Sequence, residues 1–511
     1  MRVTNSMITM HSQNNINGTK GLVDTYNDQM TSQKKIAKPS DDPVVAIRSL
    51  RLRDSLNEVG QYTDKNIPDA SSWIEVTETA LQTMSDNLND CYKACVNGTT
   101  GTLTADDRNT LLKNLQALVD NIYDLGNADY AGRTVFTGYK TNKTLTFQEQ
   151  DTKASYSISQ NFAIGALETK NRYTNTLEVP SNWDELSVGY KLDDEMSAVA
   201  TNRIRLAYSK TGDTLPTVTI GSTDLASYSV TLTDGTQKIV EYSAKSYDEV
   251  ESEKFVVPEN AVYYVKETGE LIFGDAVAKQ LRSVALTNSN FSISVDYDKT
   301  GFEAGEVRPE MYFTCTDKTN SEKEINYTRE DQDISYTIAA NQELKVNTQA
   351  GEDGILSTSI ARDIKEIMDA ITAAQNASDK VDKIEEYKKN SLYADDEHQE
   401  VLNQWLEAAE KEKTLLDDNL QSMLSSGITK FQNYKATVDL AITDVGSRDS
   451  RLELTKTRMT TQKSTIQTLI KDNEDRELSD ILVDFKSSYN AYESSLQAAS
   501  KINQMTLLDY L

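Results

Sequence analysis

The chain has 511 residues, and its 53 lysines and arginines are outnumbered by 80 aspartates and glutamates, which gives a formal charge of −27 at pH 7. Such an acidic chain is repelled by nucleic-acid phosphates and anionic lipid surfaces, and it has no apolar run of about 18 residues, so we expect no nucleic-acid partner and no membrane insertion. Three cysteines and two histidines exclude a disulfide scaffold and most histidine or zinc chemistry.

The N-terminal part reads as helical. Asp41-Asp42-Pro43 places a capping carboxylate beside a proline at the first helical position, which is a strong helix start signal. The segment from Thr104 to Asp107 resembles a capping box with Asp in place of Glu. Apolar residues recur at spacings of three and four on both sides of this box, which is typical of a helix packed along another helix. They are Leu81, Met84, Leu88, Cys91 and Cys95 before it, and Leu111, Leu115, Leu118, Ile122 and Leu125 after it.

Residues 145–354 have a different composition. They hold four of the seven prolines and eleven of the 21 glycines of the chain. Because proline breaks helix interiors and glycine weakens them, long helices are disfavoured here. Two stretches of alternating residues each contain a tight-turn pair, Asp234-Gly235 in the first and Thr268-Gly269 in the second, which predicts two hairpins. We interpret this part as an inserted, mainly β domain.

The C-terminal part is also predicted to be helical, and it contains no proline. Val445, Leu452, Met459 and Ile466 are each seven residues apart, as expected for one face of a long helix. After a polar interruption, a second apolar stripe follows at spacings of four and three. A stripe of this kind needs a partner helix, so we predict a subunit interface; for the two tyrosines a core position within the chain is an equal alternative. The predicted interface residues are Leu478, Leu482, Phe485, Tyr489, Tyr492 and Leu496.

Together these patterns predict an α+β fold. The N- and C-terminal parts would form a long antiparallel helical coiled-coil rod, and the mainly β domain would be inserted between its halves. Residues 41–144 and 355–470 are the two halves of the rod, and 145–354 is the inserted, surface-exposed domain. Residues 1–40 and 471–511 are terminal-helix segments that we expect to be disordered in the monomer, because their stripes have no partner there.

Four motifs carry a resemblance to a known family. Ser32 to Pro43 resembles the SSGKRINRPSDDP signature of flagellins and flagellar hook-associated proteins, except that Gln33 stands where these proteins usually have Gly. Residues 129–141 resemble a YGGRYLFAGTKT segment, with Ala131 in place of the first Gly of its pair. The opening residues 1–7 and the ending 507–511 resemble the MRIT-x-x-M start and SLLDYL end of the junction type of hook-associated protein. The chain is therefore identified as a member of the flagellin superfamily.

The resemblance implies a structural role in the bacterial flagellum. Proteins of this type connect hook-associated protein 1, at the end of the hook, to the flagellin filament, and assemble as a homo-oligomer ring. The resemblance further implies an extracellular location, export through the flagellar type III apparatus without a Sec signal peptide, and a flagellar export chaperone as a partner.

Two other functions stay open. The chain could be a divergent flagellin, which would be a bulk filament subunit, or the inserted domain could carry an enzyme. The hypothesis of an enzyme is disfavoured, because the sequence has no phosphate-binding glycine loop, nucleophile elbow or zinc-ligand set. We therefore expect no enzyme activity, no catalytic residue, no cofactor and no metal. Cys91 and Cys95 are four residues apart on one helical face and are expected to be small apolar seam residues rather than redox groups.

Overall fold

The computed structural model describes residues 5–99, 104–179, 196–288, 291–320, 322–352 and 354–504. The opening motif before residue 5 and the ending motif 507–511 lie outside this range. Ten helices are described: α1 (Asn5–Ser32), α2 (Pro43–Gln61), α3 (Ile67–Thr99), α4 (Ala105–Leu125), α5 (Tyr247–Ser252), α6 (Asp275–Thr287), α7 (Pro309–Tyr312), α8 (Thr358–Lys389), α9 (Asp396–Glu474) and α10 (Leu478–Gln504).

The strands lie between α4 and α8. They are β1 (Asp129–Tyr130), β2 (Arg133–Thr134), β3 (Asp151–Phe162), β4 (Glu168–Thr174), β5 (Ser197–Arg205), β6 (Thr217–Ile220), β7 (Thr223–Asp224), β8 (Ser229–Thr231), β9 (Gln237–Ile239), β10 (Glu241–Lys245), β11 (Ala261–Val265), β12 (Glu270–Phe273), β13 (Ile293–Phe302), β14 (Thr314–Asp317), β15 (Ile325–Tyr327), β16 (Ser335–Ala339) and β17 (Gln342–Lys345).

Two larger sheets form the inserted part. One has the strand order β10-β11-β12-β5-β4, and the other has the order β15-β14-β3-β13-β6-β7. The two predicted hairpins are present, because β8 pairs antiparallel with β9 around Asp234-Gly235 and β11 pairs antiparallel with β12 around Thr268-Gly269. Gly269 has a φ of +63° and its α-hydrogen faces the backbone of Tyr208, so a side chain here would be both strained and blocked.

Local sequence signals account for the helix starts. The Asp42 carboxylate accepts hydrogen bonds from the backbone N–H groups of Val44 and Val45, and Pro43 opens α2. Thr104 and Asp107 form the reciprocal bonds of a capping box at the start of α4. Both starts are where the sequence places them.

The chain divides into two compact units. One comprises residues 1–71, 336–344 and 449–511, and the other comprises residues 72–335 and 345–448. The predicted fold class, an α+β protein with antiparallel terminal helices and an inserted mainly β part, is confirmed. The division into five segments, and the disorder of the two terminal segments in the monomer, stay predictions.

In the second unit, α3 and α9 run antiparallel. Ser85 donates a hydrogen bond of 2.6 Å to Asp439, while Cys95 lies farther along α3 against Gly427. The apolar residues predicted for this part of α3 are all buried. Burial raises the pKa of the Cys91 and Cys95 thiols to about 12, so both stay protonated and unreactive at neutral pH.

Candidate subunit interface

The first unit contains the chain's two terminal helices packed against each other. Thr19 of α1 and Ser495 of α10 share a hydrogen bond of 3.2 Å, and the Arg476 guanidinium lies 5.5 Å from the ring centroid of Tyr26. Because the residue numbers rise along α1 while they fall along α10, the pair is antiparallel. Ile481 is fully buried and lies two heptads before Ser495, so it falls on the face of α10 that meets α1.

The predicted interface residues of α10 fall into two groups. Leu478, Leu482, Tyr489 and Leu496 are between 42% and 45% exposed, and they form a stripe along the helix that we call the outer stripe. Phe485 and Tyr492 are half-buried, and the Phe485 ring stacks on that of Tyr489 with 6.1 Å between centroids. The two half-buried rings therefore border the face that meets α1.

Ile481 lies outside the stripe that the sequence predicts for α10. The face toward α1 has the same spacing of four and three as the outer stripe, but two of its positions are Ser488 and Ser495 rather than apolar residues. Small serines allow the helices to approach, and one of them makes the hydrogen bond to Thr19. In the sequence, the spacing of four and three fits either of two neighbouring faces of α10. The spacing alone therefore does not identify the face that meets α1.

Other apolar side chains of the same unit are also exposed. The outer faces of α1 and α2 contain Met7, Met10, Leu22, Val44, Ile47 and Leu50, each with more than two fifths of its surface accessible. Single exposed apolar residues are ordinary in soluble proteins, whereas contiguous exposed apolar patches are candidate interaction surfaces.

A polar cluster joins the segment between α1 and α2 to the break between α9 and α10. We call this cluster the junction clamp. On the backbone, Lys35 donates to the Glu474 carbonyl at 2.7 Å, and Arg476 donates to the Gln33 carbonyl at 3.0 Å. Arg53 binds the Glu474 carboxylate with two hydrogen bonds of 2.8 and 2.9 Å. Lys34 adds a contact of 3.4 Å to the same carboxylate.

The electrostatics of the junction clamp favour its charged state. The hydrogen bonding of Arg53 is the largest cause that holds the pKa of the Glu474 carboxyl at about 2. Against the opposing effect of burial, a hydrogen bond from Ser49, the charge of Arg53 and a hydrogen bond from Lys34 lower this pKa further. The hydrogen bond to Asp475 raises the pKa of Lys34, and the bond to Glu474 raises the pKa of Arg53. At neutral pH the side chains of Lys34, Arg53 and Glu474 in the junction clamp are therefore charged. Their ion pairs hold the break between α9 and α10 in place.

The signature segment Ser32 to Pro43 provides the backbone conformation of the junction clamp between α1 and α2. Gln33 has a φ of +55°, the left-handed conformation that glycine adopts without strain, and glycine is the usual residue at this position of the signature. Asp41 accepts hydrogen bonds from the N–H groups of Ala37 and Lys38, which closes the turn before α2. Ala131 is also left-handed, with a φ of +52°, so both departures from the resembled pattern occupy positions that favour glycine.

The chemistry of the described residues is that of packing and charge pairing. Among them, no group of three or more His, Cys, Asp and Glu side chains is arranged to hold a metal ion. No described helix combines the length and the apolar character needed to cross a membrane.

Comparison with known proteins finds flagellar proteins among the relatives of this chain. Residues 3–141 match the bacterial flagellin N-terminal helical region. Flagellar hook-associated protein 3 of Escherichia coli (strain K12) is 30% identical over 154 residues, which are 30% of this chain and 48% of that protein. The same protein of Salmonella typhimurium is 28% identical over 142 residues, which are 28% of this chain and 44% of that protein. The chain thus spans about half the length of the curated relatives it matches.

A crystal structure of FlgL from Xanthomonas campestris aligns with 83% of this chain and 99% of its own, at 10% identity and a TM-score of 0.29. A TM-score this low does not establish a shared overall arrangement. The sequence matches confirm the resemblance to the flagellin superfamily, and to hook-associated protein 3, that the motifs indicate.

Proposed function

We propose that this chain is a structural subunit of the bacterial flagellum that forms the hook–filament junction. Copies of the chain form a ring that connects hook-associated protein 1 to the first flagellin subunits. The protein catalyses no reaction, and it reaches the cell exterior through the flagellar export apparatus with the help of an export chaperone.

The observation that carries the proposal is the similarity to hook-associated protein 3 of two organisms. The match to the flagellin N-terminal region alone supports a flagellar structural protein without choosing between junction and filament. The two named relatives favour the junction over a divergent flagellin.

The surface of the terminal helices supports a role in assembly. The outer stripe of α10 and the apolar residues of α1 and α2 would be covered by neighbouring subunits, where burial stabilises by roughly 25 cal/mol per Å² of apolar surface. A ring needs many such contacts, because each subunit must bind two neighbours and a protein on either side.

Deleting the gene tests the proposal directly. We expect cells with bare hooks by electron microscopy and flagellin lost to the medium, because the filament has no base on which to grow. Normal filaments would refute the junction role. Missing filaments without secreted flagellin would instead identify the chain as the filament subunit.

A double variant tests the outer stripe within that function. Leu482→Asp with Leu496→Asp should leave the circular dichroism spectrum of the monomer unchanged yet fail to restore filaments in the deletion strain. The matched control is Ser487→Asp with Ser494→Asp, at exposed polar positions of the same helix. Full restoration by the leucine variants would show that the outer stripe is not an interface.

A further inference from the structure

A groove lies between α2 and the end of α9 in the first unit, next to the junction clamp. Val45 and Leu52 of α2 and Leu469 of α9 give it apolar walls, while Lys35 and Arg48 add positive charge. We call it the clamp groove. Its volume is about 440 Å³, which lies within the range of binding pockets.

Polar contacts tie the two helices together on either side of the clamp groove. On one side, Asn473 of α9 donates hydrogen bonds to the Val45 carbonyl at 3.1 Å and to Ser49 at 2.8 Å. On the other side, the Lys463 ammonium binds the two Asp64 carboxylate oxygens at 2.8 and 2.6 Å. Because α2 and α9 are joined at both points, the groove is preformed, and a ligand binds it without the cost of opening it.

The apolar walls of the clamp groove are accessible. Leu469 is 47% exposed, and Val45 and Leu52 are half-buried. Val44, one helical turn before Arg48, is 67% exposed and extends the apolar surface beyond the groove. Covering these side chains with another apolar segment stabilises a complex by roughly 25 cal/mol per Å² of apolar surface.

The clamp groove is positively charged although the chain is strongly acidic. Arg48 is exposed beside the groove, and no described carboxylate pairs with its guanidinium. The Lys35 ammonium donates to the backbone carbonyl of Asp472, so this contact leaves its charge in place. Asp472 is the one acidic residue among those that line the groove. Charge complementarity therefore favours an apolar segment with a carboxylate.

Residues 505–511 of the chain have this composition. The segment follows α10 in the sequence, outside the described residues, and reads Met-Thr-Leu-Leu-Asp-Tyr-Leu. Its three leucines, methionine and tyrosine supply apolar surface, and Asp509 is its single charged side chain. The segment thus offers apolar groups for the walls of the clamp groove and a carboxylate for Arg48.

The clamp groove of the same chain is out of reach of this segment. Since α10 has 27 residues, its end lies about 40 Å from the junction clamp at about 1.5 Å per residue. The groove extends from the clamp over about two turns of α9, which is roughly 10 Å. Seven residues span at most about 25 Å when fully extended, which is less than the remaining distance of about 30 Å. A second copy of the chain has no such restriction.

We propose that the clamp groove of each copy binds residues 505–511 of a second copy, with Asp509 paired to Arg48 and the leucines against the apolar walls. The segment and the groove are different surfaces, so the contact is head-to-tail and is able to repeat from copy to copy around a ring. This inference rests on the ring assembly proposed above, for which it names one contact.

Surface plasmon resonance with a peptide of residues 499–511 tests the contact. The full-length protein is immobilised sparsely, so that neighbouring copies do not supply the segment themselves. We expect saturable binding that Arg48→Glu weakens about tenfold or more, because the variant replaces an attraction by a repulsion. The matched control is Arg51→Glu, at an exposed arginine of the same helix that does not line the groove, and its affinity should change less than about twofold.

Two further variants identify the pair and the source of the segment. A peptide with Asp509→Arg should bind the Arg48→Glu protein more tightly than the unmodified peptide does, because the charges are exchanged. Deleting residues 505–511 from the immobilised protein should leave the affinity for the peptide unchanged. A tenfold gain would show that the chain's own segment fills the clamp groove, and it would overturn the assignment to a second copy.

The proposal is overturned if no binding is seen at about 1 mM peptide, or if the Arg48 and Arg51 variants bind equally well. The assay needs no flagellum, so its failure is distinct from a failure of the junction role. Bare hooks in the deletion strain together with no peptide binding would remove the proposed contact and leave the proposed function standing.

Discussion

The C-terminal part of the chain contains two apolar stripes with the same heptad spacing and opposite surroundings. In α9, Val445, Leu452, Met459 and Ile466 are between 1% and 7% exposed. In α10, the outer stripe of Leu478, Leu482, Tyr489 and Leu496 is between 42% and 45% exposed. The spacing indicates that a helix needs a partner along one face, whereas the source of that partner depends on the rest of the fold. The chain covers the first stripe itself and leaves the second open.

The largest effect is expected from a charge in the covered stripe. Leu452→Asp should lower the free energy of unfolding by about 4 kcal/mol or more, because an unpaired carboxylate would be buried among apolar groups. Urea unfolding followed by circular dichroism measures this loss. The matched control is Leu454→Asp, since Leu454 lies two residues away and is 75% exposed. Equal losses for the two variants would contradict the difference between the faces of α9.

A smaller effect should separate the two faces of α10. Ile481→Asp should destabilise the pairing with α1 by about 3 kcal/mol, whereas Leu482→Asp should change stability by about 0.5 kcal/mol or less. Hydrogen exchange of the α10 amides reports this pairing directly. Loss of protection in the Leu482 variant would show that the outer stripe is part of the monomer core.

The junction clamp, at the boundary between the stripes, should give a pH-dependent effect. Because folding lowers the pKa of Glu474 from its usual 4.5 to about 2, its contribution is complete above pH 4.5 and is lost as the pH falls toward 2. Glu474→Gln should cost about 1 to 3 kcal/mol at pH 7 and flatten this part of the stability curve. Glu493→Gln, on the exposed side of α10, serves as the control. An unchanged pH profile in the Glu474 variant would contradict the clamp.

The smallest effect is a gain in stability. Gln33→Gly should stabilise the protein by about 1 kcal/mol, because glycine adopts the left-handed conformation without a Cβ clash. The same change at Ala131 gives an independent test on a turn far along the sequence. Thermal unfolding detects both, and a destabilised Gln33→Gly variant would show that the glutamine side chain contributes more than the backbone strain costs.

Features set by neighbours in sequence were predictable. The capping carboxylate of Asp42, the capping box at Thr104 and the turn at Gly269 depend on a few adjacent residues, and all three are as expected. The face of α10 that meets α1 was missed, because its serines conceal the apolar pattern. The burial of Lys170 of β4 and Arg203 of β5 against Glu366 of α8 was missed for a related reason.

Alternating charges such as Glu168, Lys170 and Arg172 ordinarily indicate a strand face in water. Here the opposite charges of α8 make burial feasible, and that helix lies nearly 200 residues farther along the chain. A single sequence gives no sign of such distant pairing.

The contact between Thr19 and Ser495 joins residues 476 positions apart, which bears on the order of folding. Closing so long a loop is entropically costly, and contacts of high sequence separation form late and slowly. During synthesis, α1 is made long before α10, so its partner helix becomes available only after nearly the whole chain has been synthesised. A chain that stops before α10 therefore leaves the face of α1 that α10 covers without its partner helix.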